Sequence, residues 1–174
     1  MTFSLVGRCA RTGMFGAAVT TSSIGVGCRV PYARAGVGAV CTQHRTDPRL
    51  GPRGLDLLEA GKSASEVVAA LTAGDPTIGW RQLAVVDGEG RTAWFHGDRI
   101  KSIHAEAEGK GCCAIGNIIR NEQVPSAMIE AFEASEADPL AERLVLALEA
   151  GEAAGGEFRQ LKSVAVIVAH EHSF

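Results

Sequence analysis

The sequence lacks an excess of either charge. Seventeen Lys and Arg stand against twenty Asp and Glu, a formal net of −3, and no basic run occurs. Without a basic face to neutralise phosphates, nucleic acid and anionic membranes are not expected as partners. No apolar run approaches the roughly 20 residues that span a bilayer. No charged-then-apolar leader precedes Thr2, so the expected location is the cytoplasm. The five cysteines, Cys9, Cys28, Cys41, Cys112 and Cys113, are odd in number and include no Cys-x-x-Cys. A disulfide framework or closed zinc site is therefore not expected, and they read as small, mostly buried apolar residues. His96, His104, His170 and His172 share no ligand spacing, and His170-Glu171-His172 would not converge in a strand. Gly25-Val26-Gly27 and Gly36-Val37-Gly38 lack the third glycine and the following helix of a dinucleotide site. No Gly-x-Ser-x-Gly elbow surrounds Ser22-Ser23. Neither metal nor cofactor is expected.

What is present is enough apolar residue, 46% against 21% charged in 174 residues, to bury the core of a single domain spanning 1–174. Alternation predicts strands at Thr2–Val6 and Met14–Thr21, joined by a turn at Arg11-Thr12-Gly13, and a third at Gly36–Thr42. The period then changes. Leu55 and Leu58 share a helical face that Gly61 stops. Ser63-Ala64-Ser65-Glu66 is a capping box opening a second helix with Val67, Val68 and Leu71 inward. Strands resume at Trp80–Val86 and Arg91–His96 around Asp87-Gly88-Glu89-Gly90, then at Ser102–Glu108 and Cys112–Ile118. A helix follows with Pro125 at its first position and Met128, Ile129 and Phe132 buried. Another has Asp138 as N-cap and Pro139 behind it, and Gly155-Gly156 ends it. Ser163–Ala169, nearly all apolar, reads as a strand at a sheet centre. Paired helices between antiparallel hairpins predict a layered α+β fold.

The stretch from Pro31 to Leu55 carries the densest chemistry. It opens on Arg34, crosses an apolar segment and ends in a loop with Gln43, His44, Arg45, Asp47 and Arg49. A buried strand feeding a polar, Pro- and Gly-shaped loop is a common way to present a site.

Several stretches together resemble the family of domains of unknown function numbered 1028, within the N-terminal nucleophile (Ntn) hydrolase superfamily. They are Thr2-Phe3-Ser4-Leu5-Val6, Val30 to Val40 with Thr42-Gln43, Asp47-Pro48 and Gly51-Pro52-Arg53-Gly54-Leu55. Arg81-Gln82-Leu83, Val86-Asp87, Gly116-Asn117, Glu149-Ala150-Gly151 and Gly155-Gly156 complete the set. The resemblance implies a four-layer αββα sandwich, two antiparallel sheets between helix pairs. It also implies some tens of residues beyond the segment matching Val164–Phe174. With that extension lacking, an exposed sheet edge and a homodimer or higher homo-oligomer are expected.

The implied chemistry is hydrolysis of an amide C–N bond in a small amide, lactam or peptide-like metabolite. Thr2, freed by loss of Met1, would be nucleophile, and its own α-amine the base. Arg34 would lower the amine's pKa. Asn117 and Gln43 would donate to the oxyanion. Ser23, Gln43, His44, Asp47 and Arg81 would hold substrate. The plainer readings are a β-branched Thr2 starting a strand, a loop-anchoring Arg34, a solvent-exposed His44, and turn roles for Gln43 and Asn117. The alternative from another class is a non-catalytic Ntn-fold subunit that binds a metabolite or assembles. A cysteine enzyme using Cys41 or Cys112 would lack a placed base.

Overall fold

Strand alternation and helical periodicity resolve, in the computed structural model, into nine strands and four helices within the described residues, 1–171. His172 of the His170-Glu171-His172 run lies outside them. In chain order the elements are β1 (Thr2–Arg8), β2 (Phe15–Thr21), β3 (Pro31–Arg34), β4 (Gly38–His44), α1 (Leu50–Glu59) and α2 (Ala64–Thr72). They continue with β5 (Arg81–Asp87), β6 (Thr92–His96), β7 (His104–Gly109), β8 (Cys112–Asn117), α3 (Gln123–Ala134), α4 (Leu140–Ala153) and β9 (Ser163–Ala169). The fold is α+β, with two antiparallel sheets ordered β7-β8-β1-β2-β9 and β3-β4-β5-β6. No helix among the described residues is long and apolar enough to cross a membrane.

Alternation sends each strand's side chains to two different cores. From β1, Phe3 and Leu5 point to α3 and α4, joining Met128, Phe132 and Leu144. Val6, with Phe15, Val19, Cys41, Ala84 and Ile115, fills the space between the sheets. Val40, Leu83 and Val85 meet Leu55, Leu58, Val67 and Leu71 of α1 and α2. Three cores thus lie one above another, helix to sheet, sheet to sheet, sheet to helix.

The local chemistry behaves as the residues dictate. The Ser63 hydroxyl accepts from the Glu66 N–H while the Glu66 carboxylate accepts from the Ser63 N–H, the expected capping box. Asp87 Oδ1 accepts from the N–H groups of Glu89 and Arg91, closing the β5–β6 turn. Pro125 lies inside the first turn of α3, the third residue instead of the first. Pro139, not Asp138, occupies the N-cap of α4.

Three departures matter more. Pro31–Arg34 forms a separate strand, β3, paired antiparallel to β4. Helix α1 begins at Leu50 and contains Gly51, Pro52 and Gly54. Proline is tolerated in a first turn, and the glycines let the helix lie close to the sheet. A Cβ on Gly51 would overlap the Tyr32 ring, and one on Gly54 would stand 3.1 Å from Val40 Cγ2. Finally, β9 is an edge strand, not a central one. Its Val164, Val166 and Ile167 are exposed, and with Val145 and Leu148 of α4 it lines an apolar groove of about 800 Å³. All five cysteines are free thiols, four buried and Cys28 exposed.

Candidate functional site

The layer between the sheets is apolar along most of its length and changes character at one end. Ser4 and Thr2 continue the inward face of β1, Thr21 that of β2, Gln43 that of β4, Gln82 that of β5 and Asn117 that of β8. Register brings these polar positions to the same level: Thr2 pairs with both Thr21 and Asn117, and Gln43 with Gln82. All six are buried. Buried polar groups cost free energy unless they are hydrogen-bonded, and here they bond one another across the sheets. Ser4 Oγ donates to Gln43 Oε1 at 2.8 Å. Gln43 Nε2 donates to Gln82 Oε1 at 2.9 Å and to the Ile115 carbonyl at 3.3 Å. Asn117 Nδ2 donates to Gln82 Oε1 at 2.7 Å. Gln82 Nε2 donates to the Gly116 carbonyl at 2.9 Å and meets His96 Nδ1 at 2.5 Å.

His96 closes this network on its far side. Burial pushes its pKa down to about 4, and His104, with ring centroids 5.1 Å apart, adds to the effect. Glu106 Oε2 stands 3.1 Å from His96 Nε2, but Nε2 has no aligned hydrogen-bond partner among the described residues. The carboxylate is a third exposed, so its pull toward the imidazolium is outweighed by burial.

On the near side the network meets the chain start. Thr2 Oγ1 lies 2.5 Å from the Met1 carbonyl and 3.2 Å from Thr21 Oγ1, and Thr21 Oγ1 also donates to the Met1 carbonyl. Thr21 Oγ1 is 3.3 Å from Ser23 Oγ, which accepts from Arg29 at 2.6 Å. Burial lowers the pKa of the Met1 α-amine. Buried Glu157 opposes that shift, and Arg159 and Arg29 reinforce it. Glu157 Oε2 accepts from the Ser22 N–H at 3.1 Å, while its Oε1 has no hydrogen-bond partner among the described residues. Burial raises the pKa of Glu157.

His44 and Arg81, register partners at the ends of β4 and β5, stand beside this end. His44 Nδ1 lies 2.7 Å from the Trp80 carbonyl, and its ring stacks on Trp80. Burial lowers its pKa, and the Met1 amine, Arg45 and Arg81 act in the same direction. Arg81 donates to Thr77 Oγ1 at 3.1 Å, and its buried Nε has no hydrogen-bond partner among the described residues. His44 (φ 70) and Ile118 (φ 54) are the non-glycine residues with positive φ among those described. Each directly follows a network residue, Gln43 or Asn117. Left-handed backbone is costly, above all for β-branched isoleucine, and such strain gathers at functional sites.

Of the residues expected from sequence, Thr2, Gln43, Asn117 and Ser23 share this end, with His44 and Arg81 beside it. Asp47 turns away, because Arg49 grips it at 2.9 and 2.7 Å and holds its carboxyl below the usual range. Its Oδ1 also accepts from the Arg49 N–H at the start of α1. Arg34 is not brought to Thr2. It pairs with Asp56 at 2.9 Å and Glu59 at 2.7 Å on α1. Because β3 runs antiparallel to β4, Arg34 lies opposite Gly38, five residues and about 17 Å along β4 from Gln43. Arg29 and Arg159 are the cations felt by the chain-terminal amine. Gln43 spends both N–H bonds within the network, which leaves none for an oxyanion. Ser4, Thr21, Gln82, His96 and Glu157 were not assigned to the site from the sequence, although Ser4 and Gln82 stand in stretches that carry the resemblance. A lone polar residue on the apolar face of a strand was the available signal for Ser4 and Gln82. Glu157 sits in a post-helical loop with no such pattern.

The crystal structure of protein SPO2555 from Silicibacter pomeroyi, assigned to the DUF1028 family, is similar to this one with a TM-score of 0.90 at 33% identity. The match covers 97% of this chain and 73% of that one. No curated protein matches the chain. The model of a family of unknown function, DUF1028, matches residues 2–174. The chain belongs to the DUF1028 family.

Proposed function

We propose that this chain is an Ntn-type hydrolase with an αββα sandwich, cleaving an amide C–N bond in a small amide, lactam or peptide-like metabolite. One observation carries the reading. Thr2 opens β1 at the polar end of the inter-sheet layer, in register with Asn117 and Thr21, and its hydroxyl rests against the Met1 carbonyl. Loss of Met1 would free that hydroxyl and leave the Thr2 α-amine beside it.

A free α-amine has an ordinary pKa of about 7.7–8.0. Burial and the Arg29 and Arg159 charges already lower that of Met1, and the same surroundings would favour a neutral amine on Thr2. The amine takes the Thr2 Oγ proton as the oxygen attacks the substrate carbonyl carbon. The tetrahedral intermediate collapses, the C–N bond breaks, and the leaving nitrogen receives that proton. Water then attacks the Thr2 ester, releasing the acid and restoring the hydroxyl. Ser23, 3.3 Å from Thr21 Oγ1, would border the substrate.

The test is intact-mass spectrometry before and after treatment with a β-lactone probe. The expected result is loss of Met1 and one adduct, absent in Thr2→Ala. Retained Met1 with no adduct overturns hydrolysis. It supports the second reading, a non-catalytic protein that binds a metabolite at the same end, which the two hydroxyls holding the Met1 carbonyl favour.

A further inference from the structure

The network between the sheets has a direction, and two backbone carbonyls set it. A carbonyl only accepts, so the Ile115 oxygen requires the amide nitrogen of Gln43, and the Gly116 oxygen requires that of Gln82. Neither glutamine can be turned over. Gln82 Oε1 must then receive N–H groups from both Gln43 and Asn117. Turning Asn117 over would set two acceptors 2.7 Å apart, so its nitrogen faces Gln82 and its Oδ1 faces away. The second N–H of Gln82 meets His96 Nδ1, which must offer a lone pair. Ser4 closes the other end by donating to Gln43. Among the described residues two atoms of the network lack a hydrogen-bond partner: His96 Nε2, a donor in this tautomer, which faces Glu106 Oε2 at 3.1 Å, and the acceptor Asn117 Oδ1, which is buried.

That atom is held firmly. Ile118 follows in a left-handed conformation, with its N–H bound to Ser102 Oγ at 3.2 Å. Register places Asn117 between Thr2 on β1 and His104 on β7, so Oδ1 belongs to the same layer as the Thr2 hydroxyl. An open acceptor does not stabilise an oxyanion. It does satisfy an N–H, and it penalises an oxygen or a methylated nitrogen placed there.

We infer that Asn117 Oδ1 is the site's acceptor for a ligand N–H, so that this end of the fold selects primary and secondary amides over tertiary ones. This rests on the reading of this end as a ligand site, and not on its catalysing hydrolysis.

Two measurements on the purified protein, with its Met1 status established by mass, test the inference. In 15N NMR of histidine-labelled protein between pH 6 and 8, His96 should be the Nε2–H tautomer. A protonated Nδ1 would reverse the network and overturn the inference. In titrations with N-methylacetamide and N,N-dimethylacetamide, followed through the Asn117 side-chain amide, the secondary amide should bind at least about tenfold tighter. In the isosteric Asn117→Leu, followed instead through the Ile118 backbone amide in both proteins, that preference should vanish. Equal binding of the two amides overturns the inference. So does an Asn117 resonance moved by neither, the outcome if Oδ1 meets only a trapped water. Where Asn117→Leu fails to fold, the tautomer and the amide pair decide on the unaltered protein. A missing β-lactone adduct would refute hydrolysis and leave these outcomes unchanged.

Discussion

Acidification should destabilise this chain through His96 in a way that a single substitution removes. The ring is buried, and its pKa falls from the ordinary 6.5 to about 4. As pH drops below 6.5, the unfolded chain takes up a proton at this position that the folded chain refuses. Stability is therefore intact above pH 6.5, declines between 6.5 and 4, and levels off below 4. At ~1.4 kcal/mol per pH unit, the full loss is about 3 kcal/mol. That is an upper value, because Glu106 Oε2 at 3.1 Å lends the imidazolium some attraction. His96→Asn keeps an oxygen to accept from Gln82 Nε2 and cannot titrate. Urea unfolding of both proteins at pH 7, 6, 5 and 4.5 gives two stability curves, and their difference cancels the other titrating groups and the lost ring packing. The wild-type curve should fall more steeply, by about 2–3 kcal/mol by pH 4.5. Parallel curves would refute the buried, neutral histidine and the network polarity that depends on it.

Arg34→Ala should leave β-lactone labelling of Thr2 unchanged and cost under about 1 kcal/mol, because its partners Asp56 and Glu59 are well exposed. Loss of labelling in a folded variant would return Arg34 to the site. Gly51→Ala should destabilise by about 1–3 kcal/mol in urea unfolding, since the new methyl overlaps the Tyr32 ring and overpacking outweighs the gain in helix propensity. An unchanged midpoint would mean that α1 does not press on β3 as described. The open β9 edge, with exposed Val164, Val166 and Ile167, predicts self-association. Light scattering should give at least a dimer mass, reduced by Val164→Lys, and a monodisperse monomer refutes it.

Much of the local structure was legible because it depends on near neighbours. The Ser63–Glu66 box, the Asp87–Gly90 turn and the inward Met128, Ile129 and Phe132 face of α3 all appear as the residues imply. Misreadings arose where a distant partner overrode local preference. Gly51, Pro52 and Gly54 look like loop, yet they lie within α1 because Tyr32 and Val40 leave no room for larger side chains. The apolar run Ser163–Ala169 looks like a central strand, yet among the described residues it pairs on one side alone, with β2.

The candidate site divides the same way. Residue order by itself determined that Thr2 and Ser4 share one face of a strand, that a polar run from Gln43 follows another, and that the helices come in pairs. These follow from a period of two or 3.6 and from turn and cap chemistry. Tertiary structure alone decided that Ser4, Gln43, Gln82, Asn117 and His96 meet, although Ser4 and Gln43 are 39 residues apart and Gln82 and Asn117 are 35. It also decided that Arg34 does not join them. Alternation assigns a side chain to a face of its strand, but which faces meet, and at what level, is set by strand order, register and the packing of one sheet on the other.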